Sequence, residues 1–217
     1  MKNLYVVGNS HAHFFTFTHP GHFGWSPKFF ISKEHDLKIQ SCSIGPTTAY
    51  KFGIKHLPLL LTMLELNNVK HNDCLLIPVG EVDCRLHLPR QAHLQDKKIE
   101  VIVDNCLNRF FNVLMALKNL GYKPIAWGGH PSSDSTGDDR TYPRYADTQY
   151  RNYISQLWAD GLKTRALNNN IYYASIFNEL ITQDLTPKPG IFQDGCHLSY
   201  SNSILHTALD AINDQIS

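Results

Sequence analysis

Short apolar runs alternate with longer stretches of helical periodicity along the whole chain, and this alternation restricts the possible folds more than any other feature. Residues 4–7 read as a first strand ending at Gly8. Residues 37–44 largely alternate apolar with polar and read as a second, more exposed strand. Residues 74–79 form a nearly continuous apolar third strand, in which Pro78 lacks the N–H that a ladder needs. Residues 123–127 and 171–175 supply a fourth and a fifth. Between them, Ile54, Leu57, Leu61 and Leu64 recur at helical spacing, with Pro58 in the first turns. A longer apolar face runs from Ile99 through Phe110 to Leu120 and stops at Gly121. Residues 150–167 and 202–216 complete the helices, and the polar stretch 129–146 reads as a long loop. Parallel strands need crossovers, and helices between successive strands provide them. The expected fold class is therefore α/β: one three-layer α/β/α domain over 1–217, with a five-stranded parallel sheet in the flavodoxin-like order 2-1-3-4-5.

At 217 residues with 42% hydrophobic side chains, the chain suits one large domain with a sizeable core. Twenty Lys and Arg against nineteen Asp and Glu leave a net charge of +1, which gives no electrostatic case for a nucleic-acid partner or an anionic membrane. The apolar runs at 4–7 and 57–64 are too short for a signal-peptide core or a membrane span, so a soluble cytoplasmic protein is expected. Five cysteines, an odd number with no C-x-x-C pair, suggest neither a disulfide framework nor a zinc ribbon. Oligomeric state leaves no mark on the sequence.

In an open parallel sheet the ligand sits beyond the carboxyl ends of the strands. That edge collects Gly8-Asn9-Ser10-His11, the segment from Gly45, Gly80-Glu81-Val82-Asp83-Cys84-Arg85, and Gly128-Gly129-His130-Pro131. A serine just after a strand can serve as a nucleophile whose own N–H helps to hold an oxyanion, or simply as a helix N-cap. Asp194-Gly195-Cys196-His197 lies just before the last helix. An Asp three residues before a His can supply a base and the group that orients it from one loop. That segment also reads as an ordinary loop, with Ser199 or Ser201 capping the helix. The pairing of Ser10 after strand one with D-x-x-H before the last helix is the more specific signal.

These residues resemble the motifs of the SGNH, or GDSL-like, hydrolase superfamily over nearly the whole chain. The G-D-S block is matched by Gly8-Asn9-Ser10, with Asn in place of Asp. The glycine block after strand two is matched by Gly45, G-x-N-D by Gly80-Glu81-Val82-Asp83, and D-x-x-H by Asp194 and His197. The resemblance implies Ser10 as nucleophile, His197 as base, Asp194 as orienter, and the N–H groups of Ser10 and Gly45 as oxyanion donors. It implies no metal and no organic cofactor. The family's third oxyanion donor is an Asn side chain, and Val82 stands there. Losing one such donor typically costs about 10²–10³ in rate. The segment Gly80 to Arg85 is similar to a G-E-I-D-C-R variant associated with surface-polysaccharide gene clusters.

Arg85 or His130 is the expected substitute donor, oriented by Glu81 and Asp83; alternatively Arg85 only pairs with one of these acids and braces its loop. His130 suits either substrate contact or loop bracing, and His11 is expected to line the pocket. Phe14, Phe15, Phe17, Phe23 and Trp25 line a site or pack as core and lid. Three functions fit this reading: an esterase removing a small acyl group, such as O-acetyl, from a carbohydrate or related ester; an O-acyltransferase in polysaccharide modification; and a non-catalytic carbohydrate-binding relative.

Overall fold

The computed structural model describes residues 1–18, 24–133 and 145–216. Six strands form one sheet: β1 (Lys2–Gly8), β2 (Gly24–Ser32), β3 (Leu37–Ser43), β4 (Cys74–Leu76), β5 (Lys123–Trp127) and β6 (Tyr172–Ala174). Their spatial order is β2-β3-β1-β4-β5-β6. β1 pairs in parallel with β3 on one side and β4 on the other, and β4, β5 and β6 continue in parallel.

The expected five-stranded, wholly parallel sheet is corrected by β2, which pairs antiparallel with β3 at the edge. A tight turn in which the Asp36 N–H donates to the Lys33 carbonyl, at 3.3 Å, joins the two. So short a connection permits only a hairpin. Pro27 argues against a central strand but is tolerated at an edge, and the register shifts between Gly24 and Lys28. Among themselves, the five parallel strands stand in the order β3-β1-β4-β5-β6. β4 is shorter than the apolar run 74–79 and ends before Pro78.

Among the described residues, seven α-helices fill the connections: α1 (Ala49–Lys51), α2 (Leu57–Leu66), α3 (Leu88–Gln95), α4 (Ile99–Asn119), α5 (Thr148–Asn168), α6 (Phe177–Leu180) and α7 (Asn202–Ile216). A π turn at Phe52–His56 links α1 to α2, and Pro58 falls in the first turn of α2 directly after it. A second π turn, Asp83–His87, leads into α3, a helix not anticipated because its face is largely polar. Alternate strand residues divide between two cores. Val7, Leu75 and Ala126 join Phe110, Leu114, Trp158 and Leu162 from α4 and α5. Leu4, Val6, Leu76, Ile125 and Trp127 join Phe15, Leu205, Leu209 and Ile212 on the opposite face. Among the described residues, no helix is long and apolar enough to cross a membrane.

Gly80 ends the β4 segment at φ +117°, and a Cβ there would stand 2.7 Å from the buried indole of Trp158. Close packing of the chain after β4 against α5 therefore requires glycine. Gly80→Ala should destabilise the protein by roughly 2–5 kcal/mol, through positive φ and overpacking together. Urea unfolding of the two proteins measures this.

Candidate active site

The chain leaves β1 at Gly8 and turns into a 3-10 segment, Ser10–Thr16, that packs beneath β3. Asn9, not Ser10, is its N-cap. The Asn9 Oδ1 accepts from the His11 N–H at 3.1 Å, and its Nδ2 donates to the Thr47 carbonyl at 3.2 Å. The capping reading of Ser10 is thereby corrected, and the Ser10 hydroxyl is left for another partner. That partner is His197, whose Nε2 lies 2.8 Å from Ser10 Oγ. Ser10 opens only a short 3-10 segment, so the dipole of a long helix does not act on its hydroxyl.

His197 is oriented from its own loop. Its Nδ1 lies 2.8 Å from Asp194 Oδ2. A carboxylate only accepts, so Nδ1 carries the proton and Nε2 accepts from Ser10. Asp194 is itself held by the loop backbone: its Oδ1 accepts from the N–H groups of His197 at 2.7 Å and Cys196 at 2.9 Å. Burial works against the Asp194 charge, but these two N–H groups and the His197 ring outweigh it and keep the carboxyl below its ordinary range. Burial of His197, with the neighbouring His11, lowers the imidazole, while Asp194 pulls the other way. The ring is therefore neutral near pH 7, as a proton acceptor needs to be. Asp194, Cys196 and His197 are the one close group of three metal-ligating side chains among the described residues. Their carboxylate and imidazole are committed to the chain that ends at Ser10.

The segment after β4 divides its charges between two directions. Glu81 is buried and accepts from Arg85 Nε at 2.6 Å and from His11 Nε2 at 3.1 Å. Its burial alone would raise the carboxyl, but the His11 hydrogen bond and the Arg85 charge hold it far below the usual range. Asp83 turns away. Its Oδ2 accepts from the Ala49 N–H at 2.6 Å and its Oδ1 from the Tyr50 N–H at 3.3 Å, at the start of α1. The expectation that Asp83 orients Arg85 is thus corrected: Glu81 alone does so, and Asp83 ties the segment after Gly45 to the segment after β4.

His130, at the end of β5, donates from Nε2 to the Cys196 carbonyl at 3.3 Å. Its burial pushes it down to about 3. A neutral imidazole has one N–H, and this one is spent bracing the Asp194 loop. His130 therefore does not serve as the substitute donor expected of it. Gly45 has φ +88°, and its N–H points to Ser43 Oγ at 3.2 Å. As an oxyanion donor it would have to release that hydroxyl.

Beside Ser10 lies a narrow cleft. Its polar wall is His11, His130, His197 and Gln193. Its apolar wall includes Phe14, Phe15, Pro78 and Trp127. Phe14 and Phe15 are thus core and cleft wall at once, Phe17 packs on Phe30 and Tyr200, and the Phe23 and Trp25 side chains lie outside the described residues. The His11 and His197 ring centroids stand 5.0 Å apart. Asn9, Gln193 and Tyr200 were not singled out in the sequence. Only Asn9 carried a usable signal, as a second cap-forming residue beside Ser10.

No family model and no curated protein matches the chain by sequence. Solved structures do match. A GDSL-like lipase from Bacteroides thetaiotaomicron has a TM-score of 0.58 at 16% identity, the match covering 99% of this chain and 85% of the lipase. An acetylxylan esterase from Geobacillus stearothermophilus has a TM-score of 0.56 at 14% identity, covering 98% of this chain and 93% of the esterase. A further acetyl xylan esterase has a TM-score of 0.53 at 11% identity, covering 99% of this chain and 100% of the other. The chain shares the fold of this lipase and these two esterases.

Replacing buried Glu81 by Gln leaves the half-buried Arg85 without its charged partner and should cost about 1–3 kcal/mol at pH 7. The folded-state carboxyl lies below its ordinary 4.5, so the charged form contributes stability above that pH. As pH falls below 4.5 the unfolded chain takes up the proton first and that contribution fades. Urea unfolding at pH 7 and pH 3.5 should therefore give a smaller difference between the two proteins at the lower pH.

Proposed function

We propose that the protein is a serine esterase that removes a small acyl group, acetyl above all, from a carbohydrate or related ester. The observation that carries this reading is the unbroken line Asp194–His197–Ser10, with 2.8 Å at both junctions. His197 takes the Ser10 proton as Oγ attacks the ester carbonyl, then delivers it to the departing alcohol. Asp194 holds the ring in the tautomer this requires and stabilises the imidazolium that forms. Water then attacks the acyl-enzyme by the same route in reverse. The backbone N–H groups of Ser10 and Gly45 hold the oxyanion, Gly45 after releasing Ser43 Oγ.

Three observations favour a small acyl group on a hydroxylated substrate. The cleft beside Ser10 is narrow among the described residues. Two structural neighbours are acetylxylan esterases, and a catalytic mutant of one, a serine-to-alanine change, also matches this fold. The segment Gly80 to Arg85 is similar to the variant from surface-polysaccharide gene clusters.

Arg85 fills the gap left by Val82. Glu81 occupies the Nε and one terminal nitrogen of the guanidinium, so further N–H donors stay available to a substrate oxygen. Arg85→Lys keeps the charge beside Glu81 but loses the fork, and should lower kcat/KM at least about tenfold. Full activity in this variant would leave the oxyanion to the backbone donors alone.

Ser10→Ala should lower ester hydrolysis by at least about 10³-fold and abolish labelling by a fluorophosphonate, read by intact mass. Labelling that persists in Ser10→Ala, or never occurs in the unaltered protein, would sink the proposal. Because burial and His11 lower His197, kcat/KM should rise with pH through an inflection below 6.5 and stay level above it. A p-nitrophenyl acetate pH profile checks this.

A further inference from the structure

A second cavity, of about 490 Å³, opens between α1, α3 and α4, with Asp83 in its wall. It lies within the range of small-molecule sites and is far roomier than the cleft beside the serine. Its basic groups are Lys51 from α1, His87 from the π turn before α3, and Arg109 from α4. Asp83 is the acidic residue in its wall, and both Asp83 oxygens already accept backbone N–H groups.

The carboxylates of α4 face elsewhere. Asp104 pairs with Arg165 of α5, and Glu100 accepts from Tyr153 of α5 at 2.9 Å. Among the described residues, no carboxylate forms an ion pair with Lys51, His87 or Arg109; the Arg109 guanidinium lies over the Tyr50 ring at 4.7 Å. His87 is held below the ordinary imidazole range by burial first, and then by the charges of Lys51, Arg90 and Arg85. Two cations, Lys51 and Arg109, thus face one concavity, and the one carboxylate in its wall is bonded to backbone N–H groups.

The remaining wall is of mixed character. The amides of Gln91, Gln95 and Asn105 offer donors and acceptors in the orientation-fixing role that hydroxyl groups answer. Leu88 and Ile102 give a small apolar surface against which a ring can lie. A bare anion would leave both the volume and the amides unused. A neutral sugar would leave Lys51 and Arg109 unpaired.

We infer that this cavity is a binding site for an anionic sugar unit, a carboxylate or phosphate carried on a polyhydroxylated ring. Lys51 and Arg109 take the anionic group, and Gln91, Gln95 and Asn105 read the hydroxyls. The site stands independently of the ester chemistry, since none of the groups that touch Ser10 line it.

The test is isothermal titration of the Ser10→Ala protein with glucuronate, glucose 6-phosphate, glucose and inorganic phosphate. Ser10→Ala prevents turnover, so the outcome does not depend on the esterase reading. Glucuronate or glucose 6-phosphate should bind, at least about tenfold more tightly than glucose and inorganic phosphate. Adding Arg109→Gln, or separately Lys51→Gln, should weaken that binding at least about tenfold with the circular dichroism unchanged. Which anion binds separates a carboxylate-bearing from a phosphate-bearing ligand. The inference is overturned if neither acidic sugar binds, if either small probe binds as tightly, or if binding survives both substitutions.

Discussion

β1 is hydrogen-bonded in parallel on both sides, to β3 over seven residue pairs and to β4 over three. Nothing else in the structure constrains the site so strongly. Three neighbouring strands running the same way deliver three chain exits to one edge of the sheet, and the exit of the middle one carries Ser10. The order of the strands thus decides which loops can touch the serine before any side chain is considered. The segment from Gly45 comes from β3, the segment Gly80 to Arg85 from β4, and both flank Ser10 because β3 and β4 flank β1.

Adjacent exits still need to be locked to one another, because loop backbone carries polar groups that a buried site cannot leave unpaired. Each lock joins two different loops. Asn9 donates to the Thr47 carbonyl, binding the β1 exit to the β3 exit. Asp83 accepts from Ala49 and Tyr50, binding the β4 exit to the β3 exit. Glu81 accepts from His11, binding the β4 exit to the β1 exit. His130 donates to the Cys196 carbonyl, binding the β5 exit to the loop that holds Asp194 and His197. These bonds fix positions to a few tenths of an ångström, which a hydroxyl–imidazole contact of 2.8 Å requires.

Much of this was legible in the sequence, and what was hidden has a physical cause in each case. Strands buried on both faces write themselves as apolar runs, so β1, β4 and β5 could be located. The edge strand β2 could not, because it exposes Phe29 and Ile31 to solvent and accommodates Pro27. The polar face of α3 concealed a helix that covers the core with few side chains, chiefly Leu88 and Pro89. At the site, residue types pointed to Ser10, Asp194 and His197 because their chemistry depends on chain position relative to strands and helices. The division of labour among Glu81, Asp83 and Arg85 depends instead on which way each side chain turns. Three charges within five residues follow a helical turn, and its phase sends Glu81 and Arg85 to one side and Asp83 to the other.

That phase has a consequence for how the molecule distributes its charge. Glu81 and Arg85 stand four residues apart on one face and form an ion pair beside His11. Asp83, on the opposite face, accepts from the Ala49 and Tyr50 N–H groups, and burial pushes it up to about 6. Its two oxygens are directed to the α1 backbone and form no ion pair with Lys51 or Arg109. Had Asp83 been free to pair with either cation, the positive potential there would collapse into an internal salt bridge. Anchoring α1 with a carboxylate thus leaves the neighbouring cations open to an anion from solution. One turn of helix after β4 accordingly serves two concavities at once, bracing the serine on one side and leaving positive charge exposed on the other.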